Sequence, residues 1–549
     1  MDSFMSSGSG VVTQAKLDDL ITDFIINTGQ SFTVVQSEEF KKLVLAGLPG
    51  KKVLSYETLM SRIKTGYTQM KEGLREAMGK ADHICITVDA WTAARRSFMG
   101  VTAHWIDSEL NRKSAAIACA RLKGRHTHDV LARSLDSVLK DYSIQNKVSG
   151  AITDGGANFI KAFSVFRGQA TEETETQMRE SDESENGDDV EPVHVEGLLE
   201  ENENAVTSSI VLPERFYCAA HKLNLVASVD ADNALKDGNY KRVARAAFAK
   251  ANELWNKQNR SQVNADTIKD VLGRFLITPG TTRWNGKFDA MSLLVEITRG
   301  DREKMATVMD KLGLNRFSSA ELTCMEEYVT VMRHVAKALD ILQGEKNCHI
   351  RILLPVIAQV QSKINQEKEH VQMSIPLCDA ISAGLERRFQ SERENKTLIL
   401  SSLVHPRFKV SWLEREKQEA AWIMLRDEIE GVLRSSGGAN TQNREPAETA
   451  TRQEKDDLDD FFPVPLVETR AQGAEAILEQ FKGCSAVDQI KDNATMKKLF
   501  QKYNCLLPSS ASVERLFSCG GSLFRKNRFS MHDSSFEMQL LMKMNKNLL

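Results

Sequence analysis

The chain has 549 residues, of which 41% are hydrophobic and 27% charged, and its formal net charge is −3. This composition is ordinary for a globular protein, and the length predicts several domains or one domain with a large insertion. Neither a run of 18 apolar residues nor a C-x-x-C spacing occurs and the N-terminus has no signal-peptide pattern, so we expect an intracellular protein with reduced thiols, no membrane span and no structural zinc site.

Residues 1–80 are predicted to form an N-terminal helical segment. In "KLDDLITDFIINTG", Leu17, Leu20, Ile21 and Phe24 follow the i, i+3, i+4, i+7 spacing of one apolar helix face. Ser37 precedes the next amphipathic stretch and is a candidate N-cap. These signals favour short packed helices before the first strand.

Residues 81–225 change to a strand pattern. In "HICITVDA", apolar residues alternate with Cys85, Thr87 and Asp89, which is typical of a strand with one buried face. The later strand signals are "FMGVTAHWID", "KSAAIACARL", "KVSGAITDGGANF" and the start of "ERFYCAAHKLNLV". Two helical stretches, "THDVLARSLDSVLKDY" and "NFIKAFSVF", lie between them. The predicted order is βββαβαβ, an α/β core.

An acidic segment interrupts this region at residues 170–204. It holds fourteen Asp or Glu and one Arg, a local charge of −13, so a net charge of −3 leaves +10 for the rest of the chain. One interpretation is a solvated disordered loop without a further role. The other is a mimic of nucleic-acid charge that suppresses non-specific binding by the basic remainder.

The rest of the chain reads as mostly helical. Residues 226–505 carry amphipathic helical patterns, with a polar stretch at 435–460 that we expect to be flexible. Residues 506–549 contain a helix starting after Pro508, with Val513, Leu516 and Phe517 as its apolar stripe and Glu514 at the edge of that stripe. The fold class is therefore α/β plus all-α.

Three acids stand at positions that suit a metal site. Asp89 and Asp154 each end a predicted strand, and Glu514 begins a helix 360 residues after Asp154. Neighbouring carboxylates repel one another unless a cation lies between them, and Mg²⁺ or Mn²⁺ prefers such oxygen ligands. Acids at strand ends also serve as turn and cap residues, so the pattern alone leaves both interpretations open.

Five blocks taken in order resemble hAT-superfamily DNA transposases and the host proteins derived from them, including BED-type zinc-finger proteins. The blocks are "TVDAWTAARRSFMGVTAHWID", "ITDGGANFIKAF", "FYCAAHKLNL", "TTRWNGKFDAM" and "PSSASVERLFSCGG". The resemblance implies an RNase H-like core split by a long helical insertion and completed by a C-terminal dimerisation region. It also implies that Asp89, Asp154 and Glu514 form a catalytic triad that binds two Mg²⁺ or Mn²⁺ ions.

The same resemblance suggests residues that contact nucleic acid. His221 would lie near the scissile phosphate, or is a buried histidine that starts a helix. Trp284, with Arg283, would stack on a base extruded during hairpin formation, or is a core tryptophan. The basic residues near the C-terminus would anchor phosphates, or form a solvated face. The full predicted set is Trp91, His221, Arg283, Trp284, Arg515, Arg525, Lys526 and Arg528.

Three functions remain as hypotheses at this point. The first is a nuclear DNA transposase that forms a homodimer or higher homo-oligomer through its C-terminal region and has no membrane or small-molecule partner. The second is a domesticated, non-catalytic DNA- or chromatin-binding factor, which the absence of a BED finger from this sequence favours. The third, a general nuclease of RNase H-like fold, fits the ordered blocks least well.

Overall fold

The computed structural model describes residues 12–166, 210–280, 284–344, 348–437, 466–525, 528 and 530–548. The acidic segment 170–204 lies outside them, as does the polar stretch 435–460 except for its first three residues, which end a helix. The chain divides into two compact units, residues 1–216 with 510–549, and residues 217–509. No helix in the described ranges is both long and apolar enough to cross a membrane.

The first unit begins with three helices and continues into a five-stranded sheet. The helices are α1 (Gln14–Thr28), α2 (Glu38–Leu45) and α3 (Tyr56–Gly79), and Ser37 caps α2 as predicted, since its side chain accepts the amide hydrogen of Phe40. The remaining elements are β1 (Ile84–Ala93), β2 (Arg96–Ile106), β3 (Arg112–Leu122), α4 (His128–Asp141), β4 (Val148–Thr153), α5 (Ala157–Val165) and β5 (Arg215–Tyr217). This is the predicted order of strands and helices.

The strands lie in the order β3-β2-β1-β4-β5, which places β1 at the centre. β1 pairs antiparallel with β2 and parallel with β4, and β2 pairs antiparallel with β3. The alternating pattern predicted a strand with one buried face, but Cys85 and Thr87 are as fully buried as Ile86. A central strand covered on both faces buries polar and apolar residues alike.

Helices from both ends of the chain share one core with the sheet. The C-terminal helices α18 (Ala511–Leu523) and α19 (Asp533–Met544) pack on β1, β2 and β3, and α19 also contacts α1 and α3. In α1, the predicted apolar face is partly wrong: Leu17 and Ile21 are buried, whereas Leu20 and Phe24 are 49% and 44% exposed. The buried stripe continues instead through Ile25 and Ile26.

The second unit is helical in its described part. Its helices are α6 (Ala219–Ser228), α7 (Gly238–Arg260), α8 (Gln262–Leu272), α9 (Trp284–Gly300), α10 (Arg302–Lys311), α11 (Ser319–Gln343), α12 (Leu353–Lys368), α13 (Ile375–Glu394), α14 (Lys396–Leu403), α15 (Arg415–Gly437), α16 (Leu466–Gly483) and α17 (Ala494–Asn504). A buried carboxylate, Asp230 in a short 3₁₀ helix after α6 (Asp230–Lys236), forms ion pairs with Arg387 and Arg388 of α13. Such pairing is the usual condition for a buried charge.

Candidate active site

Asp89 and Asp154 lie at the same level of the sheet. Thr87 on β1 pairs with Ile152 on the parallel strand β4, so each aspartate stands two residues beyond a paired position. Residues at the same level of neighbouring parallel strands lie side by side, about 4.8 Å apart. β4 ends just before Asp154, but β1 continues past Asp89 to Ala93, so the prediction that Asp89 ends its strand is wrong. The side chain of Asp89 is half-buried, and its Oδ1 accepts the amide hydrogen of Ala90 at 2.7 Å.

The backbone around Asp154 is fixed by two interactions. Its Oδ1 accepts the amide hydrogen of Gly156 at 3.1 Å, immediately before α5. Arg215 on β5 donates from Nε to the Thr153 hydroxyl at 2.6 Å and from Nη2 to the Asp154 carbonyl at 2.7 Å. The guanidinium of Arg215 therefore ties the end of β4 to the neighbouring strand and holds the segment that presents Asp154.

Glu514 reaches this edge of the sheet because α18 lies close against β2. A Cβ atom on Gly100 would stand 2.6 Å from both Phe517 and Val513, so only glycine permits this approach. Gly100 is also the residue paired directly with Asp89. Glu514 lies in the first turn of α18, and its Oε1 accepts a hydrogen bond from the Ser510 hydroxyl at 3.2 Å.

Asp89 senses the negative charges of the other two carboxylates. Burial raises the pKa of Asp89 to about 7, and the negative charges of Asp154 and Glu514 add to this rise, while the amide of Ala90 opposes it. A carboxyl group that still binds a proton near neutral pH is a mark of a functional site more often than of a surface. The structure thus brings together the three acids that the sequence nominated.

The donor chemistry of these three side chains suits Mg²⁺ or Mn²⁺. All are carboxylates, and a cation would offset both the burial and the repulsion that raise the pKa of Asp89. In their described positions they are not a closed ligand set: no group of three His, Cys, Asp or Glu side chains among the described residues is arranged to hold an ion. Metal binding at this site stays a prediction.

The other predicted residues of the first unit have local packing roles. Trp91 stacks on Phe517 with ring centroids 5.6 Å apart and helps to seat α18 on β1. The guanidinium of Arg528 donates to the Gly29 carbonyl and to Gln539, which is a structural role that the sequence did not suggest. Arg515 contacts Ser512, and Arg525 is exposed beyond the end of α18. Nucleic-acid contacts by these residues stay predictions, and Lys526 lies outside the described residues.

Two predicted residues fall in the second unit. His221 is exposed on the first turn of α6, so it is not the buried histidine of the simpler interpretation. Trp284 is 7% exposed at the start of α9, where its ring stacks on Phe288 at 5.6 Å. Trp284 also lines a cavity of about 450 Å³ together with Tyr240, Phe248 and Tyr328. Arg283 lies outside the described residues.

Sequence reasoning missed the roles of Arg215 and Gly100. Arg215 stands directly before the block "FYCAAHKLNL", but only the position of β5 beside β4 shows that it reaches Asp154. Gly100 was visible as a glycine inside a strand, which often marks a close approach of another element. That signal was present in the sequence, although it does not say which element approaches.

Comparison with known proteins agrees with the sequence blocks. Residues 87–179 match the family model of the ZBED1 RNase-like domain. A Zea mays protein named AC transposase is 20% identical over 396 residues, and a second one, named AC9 transposase, is 24% identical over 199 residues. A Talaromyces stipitatus protein named transcriptional regulator tpeD is 26% identical over 154 residues.

These matches cover the relatives only in part. The first Zea mays protein is matched over 70% of this chain and 44% of its own length, the second over 36% and 20%, and the Talaromyces protein over 26% and 18%. The chain therefore spans less than half the length of each of these relatives. The predicted resemblance to hAT transposases and their BED-type relatives is confirmed.

Proposed function

We propose that this relative of the AC-type hAT transposases is a dimeric, nuclear DNA-binding protein that cleaves and transfers DNA strands at the edge of its sheet. The observation that carries the proposal is that the charges of Asp154 and Glu514 act on Asp89 and help to raise its pKa, although 425 residues separate Asp89 from Glu514. The sheet order and the long helical region between residues 217 and 509 support an RNase H-like core with a helical insertion.

The chemistry follows from what the carboxylates do around a phosphodiester. Two Mg²⁺ or Mn²⁺ ions held by these side chains would stabilise the attacking and leaving oxygens of a phosphoryl transfer. Asp89 and Asp154, on neighbouring strands, would hold one side of this centre, and Glu514 on α18 the other. Water would be the first nucleophile and would nick one strand. The freed 3′-hydroxyl would then attack the opposite strand to form a hairpin.

Other residues extend the proposal to DNA handling. Trp284 lines an aromatic cavity large enough for a nucleobase, which supports a role in holding an extruded base. His221 and Arg525 are exposed and available to phosphates. Dimerisation through the C-terminal region rests on the resemblance, since the described apolar residues there, among them Leu516, Phe536 and Leu540, are already buried within their own unit.

A second candidate is a non-catalytic DNA- or chromatin-binding factor that has kept the fold. The similarity to a protein named as a transcriptional regulator favours it. In that case, the three carboxylates would remain close but would support no chemistry. The two candidates differ in one measurable property, the cleavage of DNA.

Nicking of supercoiled plasmid in Mn²⁺ separates the two candidates. We expect the wild-type chain to nick the plasmid and both Asp89→Asn and Glu514→Gln to lose that activity by a factor of about 100 or more, because each removes a charge from the reacting centre. Asp82→Asn, an exposed acid just before β1, is the matched control and should nick normally. Nicking that survives in both site variants, or is absent from folded wild-type protein, contradicts the transposase proposal.

A further inference from the structure

The hairpin that joins β1 to β2 protrudes beyond the carboxylates and carries a group of basic side chains. Ala93 pairs with Arg96, so the loop consists of only Ala94 and Arg95. At about 3.3 Å per residue, Arg95 lies roughly 20 Å along the chain from Asp89. The neighbouring strand β3 runs to the same end, because Ser97 pairs with Leu122.

The register of β3 brings further cations to this hairpin tip. Lys123 is the first residue after Leu122, which pairs with Ser97, and Arg125 comes next after Gly124, whose φ of +75° turns the chain. Arg121 reaches across to the Ser97 carbonyl. We call these five side chains the tip cluster: Arg95, Arg96, Arg121, Lys123 and Arg125.

The tip cluster has far more positive than negative charge. Arg96 and Arg121 share one carboxylate, that of Asp533, at 3.0 and 3.7 Å. Arg95, Lys123 and Arg125 are exposed, and no ion pair joins them to an acid within the described part of the chain. Counting Asp533, the cluster keeps a formal charge of +4 at one end of the sheet. A local excess of this kind attracts polyanions.

The turn itself holds Arg95 in an unfavourable conformation. Ala94 and Arg95 have φ values of +48° and +65°, the left-handed region required at both positions of a two-residue turn of this type. Asn-Gly or Gly-Gly would adopt these angles with less strain. The turn instead points an arginine outward at the tip, and a strained backbone of this kind is often kept at a binding site.

We propose that the tip cluster binds the phosphate backbone of duplex DNA that flanks the cleaved position. This inference rests on the proposed function and extends it to a surface outside the predicted nucleic-acid-binding residues. Consecutive base pairs are 3.4 Å apart along the duplex, so a 20 Å offset places the contact about six base pairs from the scissile phosphate. Arg95, Lys123 and Arg125 supply the contacts, while Arg96 and Arg121 brace the hairpin through Asp533.

The test compares two charge-matched triple variants of the full chain. Arg95→Gln with Lys123→Gln and Arg125→Gln removes the tip contacts. Lys16→Gln with Lys52→Gln and Lys64→Gln removes three exposed charges of the N-terminal segment, on α1, in the loop before α3 and on α3. Binding to a 40-base-pair duplex is measured between 50 and 200 mM salt. The slope of log K against log salt is negative, and each lost phosphate contact reduces its magnitude by about 0.9. The slope of the tip variant should therefore be smaller in magnitude by about 2.7, and this variant should bind about tenfold or more weakly at 100 mM salt.

The outcomes separate this inference from the proposed function. Wild-type protein that nicks plasmid, with an unchanged salt slope in the tip variant, overturns the tip contact and leaves the function standing. An equal loss of DNA affinity and of salt dependence in both triple variants also overturns the tip contact, because the effect then reflects total charge. Wild-type protein that neither binds nor nicks DNA overturns both.

A single variant excludes loss of folding as the cause. In Arg95→Gly, glycine adopts the left-handed backbone conformation of the turn with less strain, so the thermal midpoint of this variant should equal or exceed that of the wild type. Its DNA affinity should nevertheless fall about threefold to tenfold. Arg95→Lys keeps the charge and should restore most of the affinity. Full affinity in Arg95→Gly contradicts a role for this side chain.

Discussion

At the scale of single residues, Gly100 determines whether Glu514 can approach Asp89. The glycine lies opposite Asp89 on β2 and directly under α18, where a Cβ atom would be 2.6 Å from Val513 and Phe517. Because glycine carries a hydrogen atom where alanine has a methyl group, α18 can pack closely on β2 and bring Glu514 toward Asp89. A substitution of Gly100 should therefore change both stability and activity.

Gly100→Ala should destabilise the protein by about 1–3 kcal/mol, the usual cost of overpacking a tight core, and should abolish nicking because α18 is pushed outward. Chemical denaturation and the plasmid assay measure the two effects. Gly73→Ala is the control: this glycine lies inside α3 with open space around it, and alanine there should stabilise by about 0.5–1 kcal/mol. If Gly100→Ala changes neither stability nor nicking, the close packing of α18 on β2 is contradicted.

Asp89 should make stability depend on pH in a direction opposite to that of an ordinary acid. Its pKa of about 7 in the folded state exceeds that of the unfolded chain, so the folded state holds the extra proton between about pH 4 and pH 7. Stability therefore falls as pH rises through this window. Above pH 7 without divalent metal, Asp89→Asn should be more stable than wild type by about 1–2 kcal/mol, after discounting for partial exposure.

Thermal unfolding at pH 4 and pH 8 measures this difference, which should vanish at pH 4. Added Mn²⁺ should raise the midpoint of the wild type at pH 8 and have less effect on Asp89→Asn, because a ligand that binds only the folded state stabilises it. Asp82→Asn serves as the control. A stability difference that does not change with pH would mean that burial and the neighbouring carboxylates do not raise the pKa of Asp89.

At the scale of elements, α19 completes the sheet by bonding to the edge of β3. Asn545 accepts the amide hydrogen of Ala116 at 2.9 Å and donates to its carbonyl at 2.8 Å, and Glu537 accepts the amide hydrogen of Cys119 at 2.9 Å. Burial raises the pKa of Glu537. Side chains thus take the place of a sixth strand, which protects an edge that would otherwise pair with another chain.

Asn545→Ala should cost about 2–4 kcal/mol, because it leaves two buried backbone groups of Ala116 without partners. Denaturant unfolding followed by circular dichroism gives the free energy. Lys546→Ala, at the next and exposed position, should change it by less than about 0.5 kcal/mol. If Asn545→Ala and Lys546→Ala change the free energy of unfolding equally, Asn545 does not stabilise the edge of β3 as described.

At the scale of the whole molecule, the described chain separates into a sheet-containing unit and a helical unit. The sheet-containing unit is assembled from residues 1–216 and 510–549, so the helical unit interrupts it in sequence. The three carboxylates all belong to the first unit, whereas His221 and Trp284 belong to the second. DNA handling by this protein would therefore draw on residues from both.

Sedimentation equilibrium tests the proposed dimer. If the proposed dimer forms, we expect a mass of twice 61.4 kDa at micromolar concentration. The mass should not depend on salt between 50 and 500 mM if apolar contacts hold the dimer, because screening weakens charge contacts only. A mass of 61.4 kDa at 50 μM contradicts the dimer.

The sequence by itself determined the kinds and order of the elements and nominated the three carboxylates. Strand periodicity located β1 to β4, and Asp89 and Asp154 in two of these strand signals pointed to one site, although β1 continues past Asp89 to Ala93. These features are local, since alternation, capping and turn residues act over a few positions. The resemblance of five ordered blocks then connected Glu514 to the other two acids.

Only the tertiary structure decided how those acids are held. Four features depend on contacts between residues that are distant in sequence: the burial of β1 on both faces, the packing of α18 on Gly100, the hydrogen bond from Arg215 to Asp154, and the hydrogen bonds of Asn545 to β3. Asn545 and Ala116, for example, are 429 positions apart. Local patterns carry no information about which distant backbone a side chain will meet. That is decided when the elements pack and each buried polar group must find a partner.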